Sequence, residues 1–359
     1  MDKKSHSSAY RWVMFILALL ITVITSIEML LPAPLLTAII EDTKWSIGAA
    51  GQLLSIISLL MGIFVIAGSP IMDKLGLIKL TVISLFVMAI GGIIPFFAGD
   101  SYPLHYFGRF LFGVGYGASL NAAPIVIGLW FSPKEQPAMQ GIRVAVSYLG
   151  MTLTYFVVVP IFKVAQSWQN TFGIVGVAVC VVAVVWLLFG KMPEAPQGEI
   201  LGTSNNVDLK DVSIVDRKPV REESGLMQAA KLKEVWFLWL GMIGMIWAFN
   251  TYNAFLPTYL SEVRGFTIEA ASSATGTMTI FGLIAGLVAG GISSALGRRK
   301  IMGWPVMTLA LLGVFFVIFA DGILMYLGIG FIGVASSAYA VMFSTVPAEL
   351  PGSNEKMMG

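Results

Sequence analysis

Residues 171–190 read TFGIVGVAVCVVAVVWLLFG, twenty consecutive residues without a charged side chain. A lipid bilayer has a hydrocarbon core about 30 Å thick, which an α-helix crosses in about 20 mostly apolar residues. Backbone polar groups find no water in that core, so such a segment must satisfy its hydrogen bonds internally, as a helix does. The stretch therefore predicts a transmembrane helix.

Similar apolar stretches recur along the whole chain of 359 residues, which is 57% hydrophobic and only 12% charged. Soluble domains carry about 25% charged residues, so this composition predicts an all-α, polytopic membrane helical bundle. We number the predicted spans 1 to 10 in chain order. They lie near residues 12–38, 47–70, 77–98, 103–130, 138–163, 169–190, 234–260, 269–292, 301–320 and 323–347.

The lysine and arginine residues indicate how the spans are oriented. With a cytoplasmic N-terminus and alternating spans, 18 of the 22 fall on the cytoplasmic side, three fall outside, and Arg109 lies within a span. Cytoplasmic loops of membrane proteins carry such an excess of positive charge. Span 1 is too long for a cleaved signal peptide and no small-residue cleavage site follows it. We therefore expect a multi-pass protein of the cytoplasmic membrane with a cytoplasmic N-terminus.

One long polar segment divides the chain. It contains prolines, glycines and a dense run of charges, a composition typical of a solvated loop. We expect residues 1–190 to form a six-helix bundle, residues 191–233 to form a cytoplasmic linker, and residues 234–359 to form a second bundle of four helices.

An internal repeat relates the two predicted bundles. The loop after span 2 reads SPIMDKLGLIK at residues 69–79, and the loop after span 8 reads GGISSALGRRK at residues 290–300. Gly76 and Gly297 align, and basic residues follow both. Weak internal repeats of this kind are common in secondary transporters.

These loops resemble the signature G-x-L-x-D-R-x-G-R-R of the major facilitator superfamily, found between helices 2 and 3 and again between helices 8 and 9. A second resemblance is the helix-4 pattern R-x-x-x-G-x-G, present here as Arg109, Gly113 and Gly115. The resemblance implies that the two loops act as conformational gates. The gate residues it implies are Asp73, Lys74, Gly76, Gly297, Arg298 and Arg299.

The number of spans departs from the usual pattern of the superfamily, which has twelve helices in two bundles of six. The end of this chain, residues 347–359, resembles the loop that leads into helix 11. The resemblance implies that the acid of the first loop, Asp73, faces helix 11. We therefore expect a shortened reading frame, or a chain whose remaining part lies elsewhere.

Two ionisable residues lie deep inside predicted spans, where charged groups are costly and usually mark a functional site. At 1.5 Å per residue, Glu28 lies about 13 Å and Arg109 about 10 Å below the same outer surface. The similar depths predict an ion pair, which resembles the acid and arginine of the proton-coupled multidrug branch. Such a carboxyl group can bind and release a proton as a cavity opens and closes. The alternatives are a pair that only joins two helices, or a Glu28 that reaches the outer interface.

Polar side chains on shared helix faces give further candidates for binding the substrate and coupling protons. The resemblance implies a central cavity lined by helices 1, 4, 7 and 10, while hydrogen bonding between helices is the alternative role of these residues. The candidates are Tyr116 on span 4, Tyr148, Thr152 and Tyr155 on span 5, Asn250 and Asn253 on span 7, and Tyr339 on span 10.

Together these features favour a secondary active transporter that moves a small solute by alternating access, coupled to protons or another ion. Arg109 is the only cation that these spans embed, which favours a small organic or inorganic anion. Residues 250–260 also resemble the matching region of small-anion members of the superfamily. The alternatives are a multidrug/proton exporter, a non-transporting fragment, and a ligand-sensing membrane protein of the same fold.

Other classes of function receive no support from the sequence. One cysteine, Cys180, and two distant histidines do not predict a metal site. No glycine loop for phosphate follows a strand, so we expect no nucleotide cofactor. Clustered acid and base groups are lacking, so we do not expect an enzyme. The formal charge of +2 does not indicate nucleic acid, and the expected partners are the solute, the coupling ion and the lipid bilayer.

Overall fold

The computed structural model describes residues 9–132, 134–193, 233–296 and 303–345, and these ranges contain helices and no β-strand. We number the α-helices in chain order. They are α1 (Tyr10–Leu30), α2 (Leu36–Thr43), α3 (Ile47–Leu75), α4 (Leu77–Phe97), α5 (Tyr102–Ser119), α6 (Ala122–Trp130), α7 (Gln136–Ala165), α8 (Trp168–Phe189), α9 (Lys233–Glu262), α10 (Ile268–Leu296), α11 (Gly303–Phe319) and α12 (Gly322–Thr345).

Each predicted span coincides with helix. In the described part of the chain, eight segments are long and apolar enough to cross a membrane. The other two predicted spans, 7 and 9, coincide with α9 and α11. Large apolar side chains such as Ile66, Phe97 and Val164 are 76, 78 and 87% exposed, as contact with lipid requires.

Two spans are broken rather than continuous. Span 1 ends as α1 at Leu30, passes through a short 3₁₀ helix at Ala33–Leu35, and continues as α2. Pro32 and Pro34 cause the break, because proline lacks an N–H donor and its ring displaces the preceding turn. Span 4 is divided between α5 and α6 at Leu120 and Asn121.

The largest buried apolar cluster is formed by α1, α3, α4, α5, α6 and α8, and a second cluster is formed by α9, α10, α11 and α12. Within the first cluster, α4 and α8 approach each other at Gly92 and Gly176. A Cβ atom on Gly92 would lie 2.8 Å from the Gly176 Cα, so no larger residue fits at this crossing. A Cβ atom on Gly92 would also lie next to the side chain of Glu28.

The first predicted gate loop is a one-residue turn. Gly76 has φ 79° and ψ 157°, a backbone conformation that is essentially restricted to glycine. Its N–H donates to the Met72 carbonyl at 2.8 Å, and its own carbonyl accepts from Leu80 at 3.1 Å. Asp73 and Lys74 lie in the last turn of α3 and are exposed.

Several predictions lie outside the described residues. These include the second gate loop with Gly297, Arg298 and Arg299, the linker between residues 194 and 232, and the final segment from residue 346 onward.

Candidate functional site

Glu28 and Arg109 meet in the interior of the first buried cluster. The Arg109 Nη1 atom lies 3.2 Å from Glu28 Oε1, and the two side chains are 1% and 0% exposed. Glu28 projects from α1 and Arg109 from α5, the helices on which the sequence placed them at similar depth. The structure therefore brings the two embedded charges together, and neither points into lipid.

The guanidinium of Arg109 also binds three backbone carbonyls. Its Nε donates to Leu53 at 3.0 Å, its Nη1 donates to Glu28 at 2.9 Å, and its Nη2 donates to Met29 at 2.8 Å. The rings of Phe112 and Phe172 lie 5.1 and 5.6 Å from the guanidinium carbon. Arg109 thus joins α1 to α3 through fixed acceptors, and its charge is shielded by aromatic rings.

One carboxylate oxygen of Glu28 is left without a donor. Glu28 Oε2 is buried and has no hydrogen-bond partner among the described residues, while Oε1 accepts from Arg109. A buried acceptor that lacks a donor is costly. Among the described residues, Oε2 is therefore the one atom of the ion pair's carboxylate that no hydrogen bond satisfies.

The ion pair does not line the cavity, contrary to expectation. A cavity of about 450 Å³ lies between α1, α3 and α9, and its wall includes Met29, Leu30 and Leu54. The hydrogen bonds from Arg109 to backbone carbonyls hold the ion pair between α1 and α3, behind the wall of the cavity. Met29 contacts both the cavity and the ion pair. It lines the cavity, and its carbonyl accepts a hydrogen bond from Arg109.

The polar groups of the cavity come mostly from a helix that the sequence analysis had not singled out. Gln52, Ser55 and Ser58 of α3 line it, together with Asn250 and Thr251 of α9. The three α3 residues are spaced by three, and this spacing in span 2 could have identified them. Of the predicted site residues that the structure describes, only Asn250 lines the cavity, and its amide donates to the Ile246 carbonyl at 3.0 Å.

The predicted face of α7 packs against other helices instead. Thr152 Oγ1 lies 2.8 Å from Thr279 Oγ1 of α10. The Tyr155 hydroxyl donates to the Asn253 carbonyl at 2.6 Å and lies 3.3 Å from Asn253 Oδ1. Tyr148 packs on the Phe249 ring at a centroid distance of 6.3 Å. In this structure the face makes hydrogen bonds and packing contacts between helices, and its role in binding a substrate stays a prediction.

The physical reason lies on α10. Gly276 and Gly282 face α7, and a Cβ atom on either would come within 2.6 to 3.0 Å of the rings of Phe156 and Tyr148. These small residues let α7 and α10 approach closely, which brings the hydroxyl groups of α7 within reach of acceptors on the neighbouring helices.

Two predicted aromatic residues have different surroundings. Tyr339 of α12 is 4% exposed and its hydroxyl lies against Gly241 of α9, so it is a packing residue. Tyr116 of α5 is half-buried and its ring stacks on Phe112 at 5.8 Å. It therefore lies on the same side of α5 as Arg109.

Arg143, one of the 18 basic residues expected on the cytoplasmic side, lies within α7. It is half-buried, and its Nε donates to Gln140 Oε1 at 2.9 Å. Arg109 is therefore not the only arginine embedded in this part of the chain. Among the described residues, no three His, Cys, Asp or Glu side chains are grouped closely enough to hold a metal ion.

A family model described as Major Facilitator Superfamily matches residues 14–357. Among curated proteins, the probable sulfoacetate transporter SauU of Cupriavidus necator is 24% identical over 65% of this chain and 53% of its own length. The hexuronate transporter of Bacillus subtilis is 27% identical over 54% of this chain and 43% of its own length. This chain thus spans about half the length of these two relatives.

Solved structures are similar across nearly the whole chain. A bacterial homolog of the human lysosomal transporter Spinster, in an inward-facing and occupied conformation, has a TM-score of 0.76 at 15% identity. The alignment covers 95% of this chain and 75% of that one. A D-xylose–proton symporter has a TM-score of 0.65 at 18% identity, over 96% and 84% of the two chains. At these identities the likeness shows the fold.

Proposed function

The chain belongs to the major facilitator superfamily, and from this premise we propose that it is a secondary active transporter for a small organic anion, coupled to protons. The observation that carries the proposal is the buried Glu28–Arg109 pair, in which one carboxylate oxygen has no donor among the described residues. Ionisable groups at such a depth are characteristic of proton relays in transporters.

The relatives support an anionic substrate. Sulfoacetate, hexuronates and galactarate, which the printed names of three relatives give as their substrates, all carry a carboxylate or sulfonate group. All three are small solutes, and a cavity of about 450 Å³ lies within the size range of ligand pockets.

The proposed mechanism is alternating access. Arg109 holds carbonyls of both α1 and α3, so a displacement of one helix against the other would change its partners and the environment of Glu28. Release of Arg109 from Glu28 would favour the protonated carboxyl group, and its return would expel the proton. Binding of the solute would drive this displacement.

The remaining expectations belong to the same proposal. They are a cytoplasmic N-terminus in the cytoplasmic membrane, the division into bundles of six and four helices, and a gating role for the loops around Gly76 and Gly297. The expected partners are the solute, protons and the lipid bilayer.

Uptake into liposomes tests the proposal. Purified protein would be reconstituted, and accumulation of labelled D-galacturonate, D-glucarate and sulfoacetate would be measured with and without an imposed pH gradient. We expect gradient-dependent accumulation of at least one anion, and none of D-xylose. Equal signals from protein-free liposomes for all three anions would contradict the proposal.

One observation favours a second candidate, the export of neutral amphipathic compounds. The described residues that line the cavity include no ionisable side chain, and most of its wall is apolar. This candidate predicts that an amphipathic dye, rather than an organic anion, is moved against its gradient in the same liposomes.

A further inference from the structure

Arg109 has no free edge with which to bind a substrate anion. A guanidinium has five N–H donors, and those of Arg109 already make four hydrogen bonds, three to carbonyls and one to Glu28. The side chain is also 1% exposed. Arg109 is therefore not available to bind a transported anion.

Arg143 differs from Arg109 because two nitrogens of its guanidinium make no hydrogen bond with the described residues. Its Nε donates to Gln140, whose own amide donates to the Pro124 carbonyl at 3.3 Å and is thereby held in place. Among the described residues, Nη1 and Nη2 of Arg143 have no acceptor, and no carboxylate lies within 4.0 Å of them. The guanidinium is thus anchored on one side and open on the other, in a side chain that is only half-buried.

Arg143 is connected to the ion pair by an aromatic path. Its charge lies close enough to the Tyr116 hydroxyl to act on it electrostatically. Tyr116 stacks on Phe112, and the Phe112 ring lies beneath the Arg109 guanidinium. Arg109, Phe112 and Tyr116 are spaced by three and four along α5 and share one face. Tyr116, which the charge of Arg143 influences, therefore lies on the face of α5 that carries Arg109.

We propose that Arg143, with Tyr116 and Gln140, is the binding site for the carboxylate or sulfonate group of the transported anion; this rests on the function proposed above. A guanidinium recognises a carboxylate through two parallel N–H···O bonds, a geometry that lysine cannot reproduce. In this proposal the Tyr116 hydroxyl donates to the same group. Substrate binding at Arg143 and proton binding at Glu28 are then separate sites on adjoining helices.

Equilibrium binding of D-glucuronate to the purified, detergent-solubilised full chain tests the site, with D-glucose as the neutral probe. Arg143→Gln is expected to raise the Kd of D-glucuronate about tenfold or more, because charge-assisted hydrogen bonds are lost. Lys134→Gln is the matched control, since it removes one exposed positive charge from the segment that precedes α7. The control is expected to leave the Kd unchanged.

Arg143→Lys keeps the charge but cannot form two parallel N–H···O bonds with a carboxylate. This variant tests the role of Arg143 if Arg143→Gln does not fold. We expect its Kd to rise about threefold or more. Wild-type affinity in either folded variant would overturn the proposal for Arg143, while gradient-driven uptake of anions by the wild type would still uphold the proposed function. Accumulation of neutral solutes and of no anion would instead overturn both.

Discussion

At the scale of single residues, the position of Arg109 depends on backbone carbonyls as much as on its acidic partner. Removing one member of a buried ion pair leaves the other charge uncompensated, which costs about 3–5 kcal/mol. Arg109→Gln is therefore expected to lower the free energy of unfolding by about that amount, measured in mixed micelles. Lys163→Gln is the control, because the Lys163–Glu269 pair is 61% and 45% exposed, and such pairs contribute about 1 kcal/mol or less.

The double variant Glu28→Gln/Arg109→Gln sharpens this prediction. It removes both charges, so we expect it to be more stable than Arg109→Gln alone. If Arg109→Gln were no more destabilised than Lys163→Gln, the ion pair would have little part in holding α1 to α5.

The sequence was sufficient to predict that Glu28 and Arg109 meet, because depth in a membrane follows from residue position and helical rise. It was not sufficient to predict the bonds of Arg109 to Leu53 and Met29. Every residue has a carbonyl, so the choice of acceptor depends on how closely the helices pack. Arg143 was missed for a related reason, since a cation near the end of a span can equally belong to the loop.

At the scale of helices, the turn between α3 and α4 depends on one glycine. Gly76→Ala would force a side chain into a backbone conformation of φ 79° and ψ 157°, and we expect it to cost about 1–3 kcal/mol. Gly62→Ala within α3 is the control, because a Cβ atom there would meet nothing within 4 Å. Equal stability of the two variants in thermal melting would mean that the turn tolerates another conformation.

The turn between α6 and α7 is stabilised by the Glu135 carboxylate. It accepts from the Ser132 hydroxyl at 2.8 Å and from the Ser132 N–H at 3.1 Å, and it pairs with Arg11 at 3.2 Å. The hydrogen bonds from Ser132 and the charge of Arg11 lower the pKa of Glu135 below its usual 4.5. This stabilisation is therefore fully present above about pH 4.5 and is lost as the pH falls through the lowered pKa.

Glu135→Gln is accordingly expected to lower the melting temperature at pH 7, and the difference from the wild type should shrink below pH 4. The exposed Glu41 provides the control variant, Glu41→Gln, for which we expect no such trend. A difference that stayed constant across this range would show that the charge of Glu135 does not matter.

Apolar length predicted which segments are helices, but it could not predict their interruptions or their partners. Pro32 and Pro34 were visible in the sequence, but the apolar length of span 1 did not show that they divide it into two helices. Tyr148, Thr152 and Tyr155 were correctly placed on one face of α7, and that face meets α9 and α10 rather than the cavity. Which face meets which helix depends on small residues such as Gly276, whose effect requires the packed structure.

At the scale of the whole molecule, the helices of the two halves of the chain are joined along α7. Thr152 meets Thr279, the Ser272 hydroxyl donates to the Tyr155 carbonyl at 2.6 Å, and Lys163 pairs with Glu269 at 2.7 Å. Alternating access would require these contacts between α7 and α10 to separate. The cavity between α1, α3 and α9 lies beside the ion pair, so solute movement and proton movement would be linked through α1 and α3.

The most direct test of this link compares two transport modes in liposomes that contain the wild type or Glu28→Gln. Solute counterflow needs binding and alternating access but no proton, whereas accumulation driven by a pH gradient needs all three. We predict that Glu28→Gln retains counterflow and loses gradient-driven accumulation. Gradient-driven accumulation at the wild-type level in Glu28→Gln would contradict the role of Glu28 as the site of proton coupling.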